Sequence, residues 1–111
     1  MKSKIISVFL LSVLISISTV FAFTPQKPTL IIFYAEWCKY CKVAQKDIAN
    51  DQELSQLAKN YDIVLANFDV DKDLVEGYNI KTIPTFVILN SGKVLQKVGY
   101  NGSQDLIEFL K

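Results

Sequence analysis

Two cysteines, Cys38 and Cys41, are the residues of this 111-residue chain whose type and spacing most clearly indicate chemistry. A C-x-x-C pair can form a reversible disulfide, contribute to a zinc site or act as a structural bridge. A zinc site is disfavoured because it needs four ligands, and the chain has no histidine and no third cysteine. A structural bridge is also a poor use of the pair, since closing so short a loop removes little entropy from the unfolded chain. The spacing therefore favours redox chemistry.

Both cysteines lie where an apolar segment, residues 29–35, is followed by a helical pattern from Lys39 onwards. The first turn of a helix presents unpaired N–H groups and the positive end of the helix dipole, which stabilise a thiolate. Such a position can lower the pKa of a cysteine from about 8.5 to neutrality or below. We therefore predict that Cys38 is the nucleophile and that Cys41, on the same side of the first turn, is the resolving thiol.

The remaining segments must position this pair. Residues 29–35 are apolar and rich in β-branched and aromatic side chains, which favours a strand buried on both faces of a sheet. The helical pattern restarts near Asp51, which can cap a second segment. The other predicted elements are strands at residues 61–70, 83–90 and 93–99, a hairpin turn at Ser91 and Gly92, a short helix at 71–77, and a last helix at 104–111 capped by Ser103. Together they predict an α/β fold in the order β-α-β-(short α)-β-β-α, with a mixed four-stranded sheet flanked by helices.

The first residues are typical of a secretory signal peptide. Lys2 and Lys4 precede a long apolar run that ends near Ala22, a small residue of the kind found at cleavage sites. We expect a signal peptide at residues 1–22 and a single domain at residues 23–111. This organisation predicts an exported, periplasmic protein.

An uncleaved anchor is the alternative, because residues 5–23 approach the roughly 20 apolar residues that span a bilayer. Such an anchor would tether the domain to the inner membrane. Removing residues 1–22 takes two of the 12 lysines and leaves 10 against 11 acidic residues, a net charge of −1. A domain with this balance has no basic field for nucleic acid.

Four short motifs together resemble the thioredoxin superfamily. They are Trp37-Cys38-x-x-Cys41, the segment Asp69 to Asp71, the segment Ile83-Pro84-Thr85-Phe86, and Lys97-Val98-Gly99. The resemblance covers residues 29–111. Within the superfamily, the chain is most similar to small exported thioredoxin-like proteins and to the C-terminal periplasmic domain of the transmembrane thiol:disulfide interchange reductase. It implies a minimal thioredoxin fold, thiol:disulfide oxidoreductase activity and no cofactor.

The resemblance also implies a substrate groove around the cysteine pair. The bond between Ile83 and Pro84 would be cis and packed against the disulfide, and the Ile83 backbone would pair with an extended substrate segment. An ordinary trans proline at a strand start is the alternative. Trp37 would offer a flat apolar surface for docking, unless it is a core aromatic. The groove would be bordered by Tyr40, Gly99 and Tyr100.

Two departures from typical thioredoxins affect proton transfer. Ile32 stands where those proteins have a buried aspartate, and Asn67 is predicted to stand where the next strand has a lysine. Gln45, one turn after Cys41, offers no carboxylate, so Glu36 or water is the expected proton acceptor. We therefore expect slower deprotonation of Cys41.

The dipeptide between the cysteines, Lys39-Tyr40, bears on the direction of electron flow. The Lys39 charge favours the Cys38 thiolate, but no imidazole is present to stabilise it as strongly as an oxidase needs. We therefore expect reduction or exchange of disulfides. Lys39, Lys42 and Lys46 form a basic face, either simply solvated or a contact for an acidic partner.

The expected partners are protein disulfides and a membrane or periplasmic electron donor, and the protein is expected to be a monomer without a metal site. Asp69, Asp71 and Asp73 imitate the start of a calcium loop, but Leu74 and Ile80 stand where a glycine and a glutamate are needed. Two other functions stay open: a non-catalytic peptide-binding module of the same fold, and a client-specific carrier of reductant for cytochrome or metalloprotein assembly.

Overall fold

The computed structural model of this protein describes residues 26–111. The predicted signal peptide at residues 1–22 and the alternative anchor at residues 5–23 lie outside them. The strands are β1 (Thr29–Tyr34), β2 (Asp62–Asn67), β3 (Thr85–Asn90) and β4 (Lys93–Val98), and the helices are α1 (Lys39–Asn50), α2 (Gln52–Ala58), α3 (Lys72–Gly77) and α4 (Ser103–Leu110). This order confirms the predicted one, with the long helix divided into α1 and α2. In this part of the chain, no helix has the length and apolar character needed to cross a bilayer.

The four strands form one mixed sheet in the order β2-β1-β3-β4. β1 runs parallel to β2 and antiparallel to β3, and β4 is antiparallel to β3. The central strands β1 and β3 are the most apolar segments of the domain and are buried over most of their length. This agrees with the rule that a strand covered on both faces is a continuous apolar run.

Alternating side chains of the central strands build two cores, one on each face of the sheet. On one face, the cluster consists of Leu30, Ile32, Phe86 and Ile88 with Ala44 of α1, Leu54 of α2, and Tyr100, Leu106, Ile107 and Leu110 on and before α4. On the other face, Ile31, Phe33, Val87 and Ala66 pack with Val75 of α3 and with Ile80. Each fully buried aromatic or aliphatic side chain contributes roughly 1.5–3 kcal/mol to folding. The two cores fix the carboxyl end of β1, which leads into α1.

The break between α1 and α2 is at Asp51, as predicted. The Asp51 carboxylate accepts the N–H of Leu54 at 3.0 Å, and the Asp51 N–H donates to the Asp47 carbonyl at 2.8 Å. Asp51 therefore ends one helix and caps the next.

The cap predicted for the last helix is wrong. Ser103 is the first residue of α4, the N-cap is Gly102, and no side chain caps the helix. Gly102 has a φ of +110°, a conformation that glycine adopts without strain. The helix therefore begins one residue earlier than the serine pattern indicated.

Candidate active site

Cys38 and Cys41 form a disulfide at the start of α1, with their Cα atoms 5.2 Å apart. Cys38 is the N-cap residue in an extended conformation, and its Sγ accepts the N–H of Cys41 at 3.2 Å. A sulfur thus occupies the place where an oxygen of serine or aspartate usually caps a helix. When the disulfide opens, the same amide can stabilise negative charge on Cys38.

The two sulfurs are screened from solvent by a small apolar cluster. Cys38 is 5% exposed and Cys41 is 1% exposed, and Ala35 at the end of β1 is buried beside them. The half-buried residues Phe68 and Ile83 pack against this cluster. Cys38 is therefore the more exposed residue of the pair, which suits attack on a protein disulfide.

Trp37 lies beside this cluster with 67% of its surface exposed. This exposure excludes the alternative that it is a core aromatic. Its indole N–H donates to the Asp69 carboxylate at 2.9 Å, so the ring is held although it is exposed. Tyr40, at 63% exposure, lies in the first turn of α1.

Asp69 belongs to a hydrogen-bonded loop between β2 and α3 that sequence reasoning did not identify. The Asp71 carboxylate accepts the N–H of Asn67 at 2.7 Å, and the Asn67 side-chain oxygen accepts the N–H of Asp69 at 2.9 Å. The spacing of Asn67, Asp69 and Asp71 after a strand is the available signal, because short polar side chains bond backbone N–H groups two to four residues away.

The segment around Pro84 adjoins the cysteine cluster through Ile83 and is hydrogen-bonded to Gly99. The peptide bond between Ile83 and Pro84 is cis, and Pro84 is fully buried. The Gly99 N–H donates to the Pro84 carbonyl at 2.8 Å, and Gly99 has a φ of +83°, which favours glycine. The buried Thr85 hydroxyl donates to the Thr82 carbonyl at 2.7 Å. Ile83 itself packs on the cysteine cluster.

Tyr100 does not border this groove, in contrast to the sequence-based expectation. Its ring is 8% exposed and packs 6.3 Å from the Phe86 ring, and its hydroxyl donates to the Asp47 carboxylate at 2.6 Å. Burial, together with the bond to Asp47 and its charge, raises the pKa of the Tyr100 phenol. The chain turns at Gly99, and the next side chain enters the core.

Asn67 is the last residue of β2, and its placement where typical thioredoxins have a lysine stays a prediction. The parallel register of β1 and β2 pairs Ile32 with Leu65, whereas Asn67 pairs with Tyr34. Ile32 is buried in the core, and among residues 26–111 the buried polar residue is Thr85, so no aspartate or glutamate residue is fully buried there. Glu36 is exposed in the turn before Cys38. Its role as proton acceptor stays a prediction.

Charge around the site is uneven. Lys39, Lys42 and Lys46 of α1 are exposed, and the ion pairs found within residues 26–111 involve Lys97 and Lys111 instead. The same residues include no group of three or more cysteine or carboxylate side chains arranged to hold a metal ion.

Comparisons with known proteins agree with this geometry. The thioredoxin family model matches residues 18–111. The chain is 34% identical over 92 residues to a protein disulfide-isomerase of Saccharomyces cerevisiae, which covers 78% of this chain and 17% of that protein. It is 30% identical over 87 residues to a thioredoxin of Mycoplasmoides gallisepticum, covering 78% of this chain and 84% of that one.

A solved thioredoxin-fold protein from Helicobacter pylori superposes with a TM-score of 0.70 at 22% identity, over 76% of this chain and 66% of that one. This likeness supports the fold. The chain spans less than a fifth of the yeast isomerase and most of the mycoplasma thioredoxin. With the family match over most of its length and the disulfide at the start of α1, the chain belongs to the thioredoxin family.

Proposed function

We propose that this protein is a thiol:disulfide oxidoreductase that reduces or exchanges disulfides in exported proteins. The observation that carries the proposal is the Cys38–Cys41 disulfide at the start of α1, with the Cys38 sulfur bonded to a backbone amide. The thioredoxin and protein disulfide-isomerase relatives support the same chemistry.

In the proposed reaction, the reduced protein begins with Cys38 as a thiolate. Cys38 attacks one sulfur of a substrate disulfide, the substrate S–S bond breaks, and the departing thiolate takes up a proton. Cys41 then loses its proton to water or to Glu36 and attacks the Cys38 sulfur, which releases the second substrate thiol. Two electrons pass to the substrate, and the cysteine pair is left as the disulfide that the structure contains.

The substrate contact is proposed for the surface that surrounds Cys38. Trp37 and Tyr40 supply exposed aromatic area, and the backbone of Ile83 would pair with an extended substrate segment beside Pro84 and Gly99. Such main-chain pairing tolerates many sequences, which suits an enzyme for protein disulfides.

Location and partners form a second part of the proposal. Export to the periplasm rests on the basic and apolar pattern of residues 1–22, or on an anchor at residues 5–23. There, a membrane or periplasmic electron donor would regenerate the dithiol. In this respect the protein would resemble the C-terminal periplasmic domain of the transmembrane thiol:disulfide interchange reductase, with cytochrome or metalloprotein assembly as a narrower alternative.

Insulin reduction tests the activity. The reduced protein should accelerate insulin precipitation in the presence of a thiol reductant, and Cys38→Ser should fall to the rate of the reductant alone. Turnover that does not depend on Cys38 would contradict the mechanism. No turnover with a folded protein would favour the non-catalytic peptide-binding module instead.

Substrate trapping tests the client range. Cys41→Ser should accumulate mixed disulfides through Cys38, because the resolving attack is removed. Many trapped proteins would indicate a general reductant, whereas a single cytochrome or metalloprotein would indicate the client-specific carrier. A Cys38→Ser, Cys41→Ser double variant is the matched control and should trap none.

A further inference from the structure

Three exposed lysines follow one side of α1, directly after Cys38. Lys39, Lys42 and Lys46 are three and four residues apart, so their side chains project from neighbouring turns. We call this set the α1 lysine face. Within residues 26–111 none of the three is in an ion pair. Two exposed apolar side chains lie among them, Tyr40 at 63% and Val43 at 42% exposure.

Helix stability does not account for the α1 lysine face. The first turn of a helix favours acidic residues, and the first turns of α2, α3 and α4 contain Glu53, Asp73 and Asp105. The first turn of α1 contains no acidic residue, and it carries Lys39 where the dipole repels a cation. Lys42 and Lys46, four residues apart, repel each other as well. These lysines therefore lower the stability of α1.

The cationic character is local to this face and is not a property of the whole domain. Residues 23–111 carry a net charge of −1, and the opposite flank of the site presents Asp69 beside Trp37 and the exposed Glu36. Two further exposed lysines near the site, Lys72 and Lys81, stand singly, so α1 carries the densest positive charge beside Cys38. A face that combines lysines with exposed apolar groups suits a protein segment that carries both acidic and apolar side chains.

We propose that the α1 lysine face is a docking surface for acidic segments of the disulfide-bearing partner, and that it selects partners with Asp or Glu near the attacked cysteine. The inference rests on the proposed oxidoreductase function and names the substrate class of the same site. Attraction at this face holds the acidic segment next to Cys38 and raises the rate of encounter at low salt.

The test uses three synthetic peptides that share one disulfide and differ in flanking residues, which are Glu, Gln or Lys. The reduced protein should react with the Glu peptide about tenfold faster than with the Lys peptide at low salt, and high salt should remove the difference. The triple variant Lys39→Glu, Lys42→Glu, Lys46→Glu should reverse the order of the charged peptides. Each rate is divided by the rate with dithiodipyridine, an uncharged disulfide, so that altered thiol reactivity does not enter the comparison.

A matched control moves the same charge change to the far end of the sheet. Lys27 lies before β1, Lys59 lies before β2, and Lys93 begins β4. All three are therefore at the end of the sheet opposite to the disulfide. Their triple replacement by Glu should keep the preference for the Glu peptide. If the α1 triple variant does not fold, the corresponding Lys→Gln triple should abolish the preference.

The outcomes separate the two proposals. Equal normalised rates with the Glu and Lys peptides would overturn the docking surface and leave the oxidoreductase function intact. A preference lost equally in the control triple would also overturn it, because net charge would then be the cause. Failure to reduce any of the peptides, the Gln peptide included, would overturn the proposed function and this inference with it.

Discussion

Ile32 is the residue at which the sequence predicts a departure from typical thioredoxins. Ile32 is 2% exposed and packs in the core with Phe86 and Leu106, so an apolar side chain occupies this buried position. Removing a buried carboxylate spares the fold the cost of burying charge. We therefore expect water or Glu36 to accept the proton of Cys41.

We predict that Ile32→Asp speeds the resolving step at neutral pH, because a buried carboxylate can accept the Cys41 proton. The same change should lower the free energy of unfolding by roughly 1–3 kcal/mol, the cost of burying an unpaired polar group. Single-turnover disulfide reduction measures the first effect and denaturant unfolding the second. Ile32→Asn is the control, since it adds a polar group of similar size that accepts no proton. An unchanged or slower rate in folded Ile32→Asp would refute the role given to Ile32.

At the scale of elements, the loop between β2 and α3 determines how Trp37 is presented. The Asp71 carboxylate accepts the Asn67 N–H, and the Asn67 side chain accepts the Asp69 N–H. The Asp69 carboxylate in turn accepts the indole N–H of Trp37. These hydrogen bonds orient the exposed Trp37 ring by linking it to the loop after β2, which is distant from Trp37 in sequence. This loop couples the carboxyl end of β2 to the substrate surface.

We predict that Asp69→Ala weakens substrate capture more than it slows the chemical steps, raising KM about fivefold. The reason is the loss of one hydrogen bond, about 1 kcal/mol, that orients Trp37. Because Trp37 is the only tryptophan of the chain, its fluorescence anisotropy reports the ring directly and should fall in the variant. Asp73→Asn, in the first turn of α3, is the matched control and should change neither quantity. An unaltered anisotropy in Asp69→Ala would show that the bond does not hold the ring.

The elements and the cysteine pair were predictable from sequence because their signals are local. Apolar runs indicated β1 and β3, Asp51 indicated the division of the long helix, and the cysteine spacing at a strand-to-helix junction indicated the site. Errors arose where a distant contact decides. The burial of Tyr100 depends on its contacts with Phe86 and Asp47, which are distant in sequence.

At the scale of the whole molecule, the redox state of the cysteine pair is linked to the stability of the domain. Any free-energy difference between the oxidised and reduced folded forms, relative to the unfolded chain, appears in the reduction potential. A disulfide between residues three apart closes a short loop, for which chain entropy favours the oxidised form by about 2 kcal/mol.

We predict that the oxidised protein is more stable to denaturant than the reduced protein, by about 2 kcal/mol. This order is the one expected of a reductant, because a strong oxidant is stabilised in its reduced form. Urea unfolding of both forms at neutral pH measures the difference, and Cys38→Ser, Cys41→Ser serves as a control without a redox state. A reduced form of greater stability would point to an oxidase and would reverse the direction proposed for electron flow.

Ile32, not a carboxylate, lies in the core. As the pH falls, activity should therefore be lost before the domain unfolds. Proteins unfold at low pH mainly because buried or paired carboxylates must take up protons. Within residues 26–111 the paired carboxylates, such as Asp47 with Tyr100 and Asp105 with Lys97, are partly exposed rather than fully buried, so mild acid should remove only part of the stability. The sulfur of Cys38, in contrast, loses its nucleophilic charge once the medium falls below its pKa. Mild acid should thus abolish the disulfide-reducing activity reversibly while the domain stays folded.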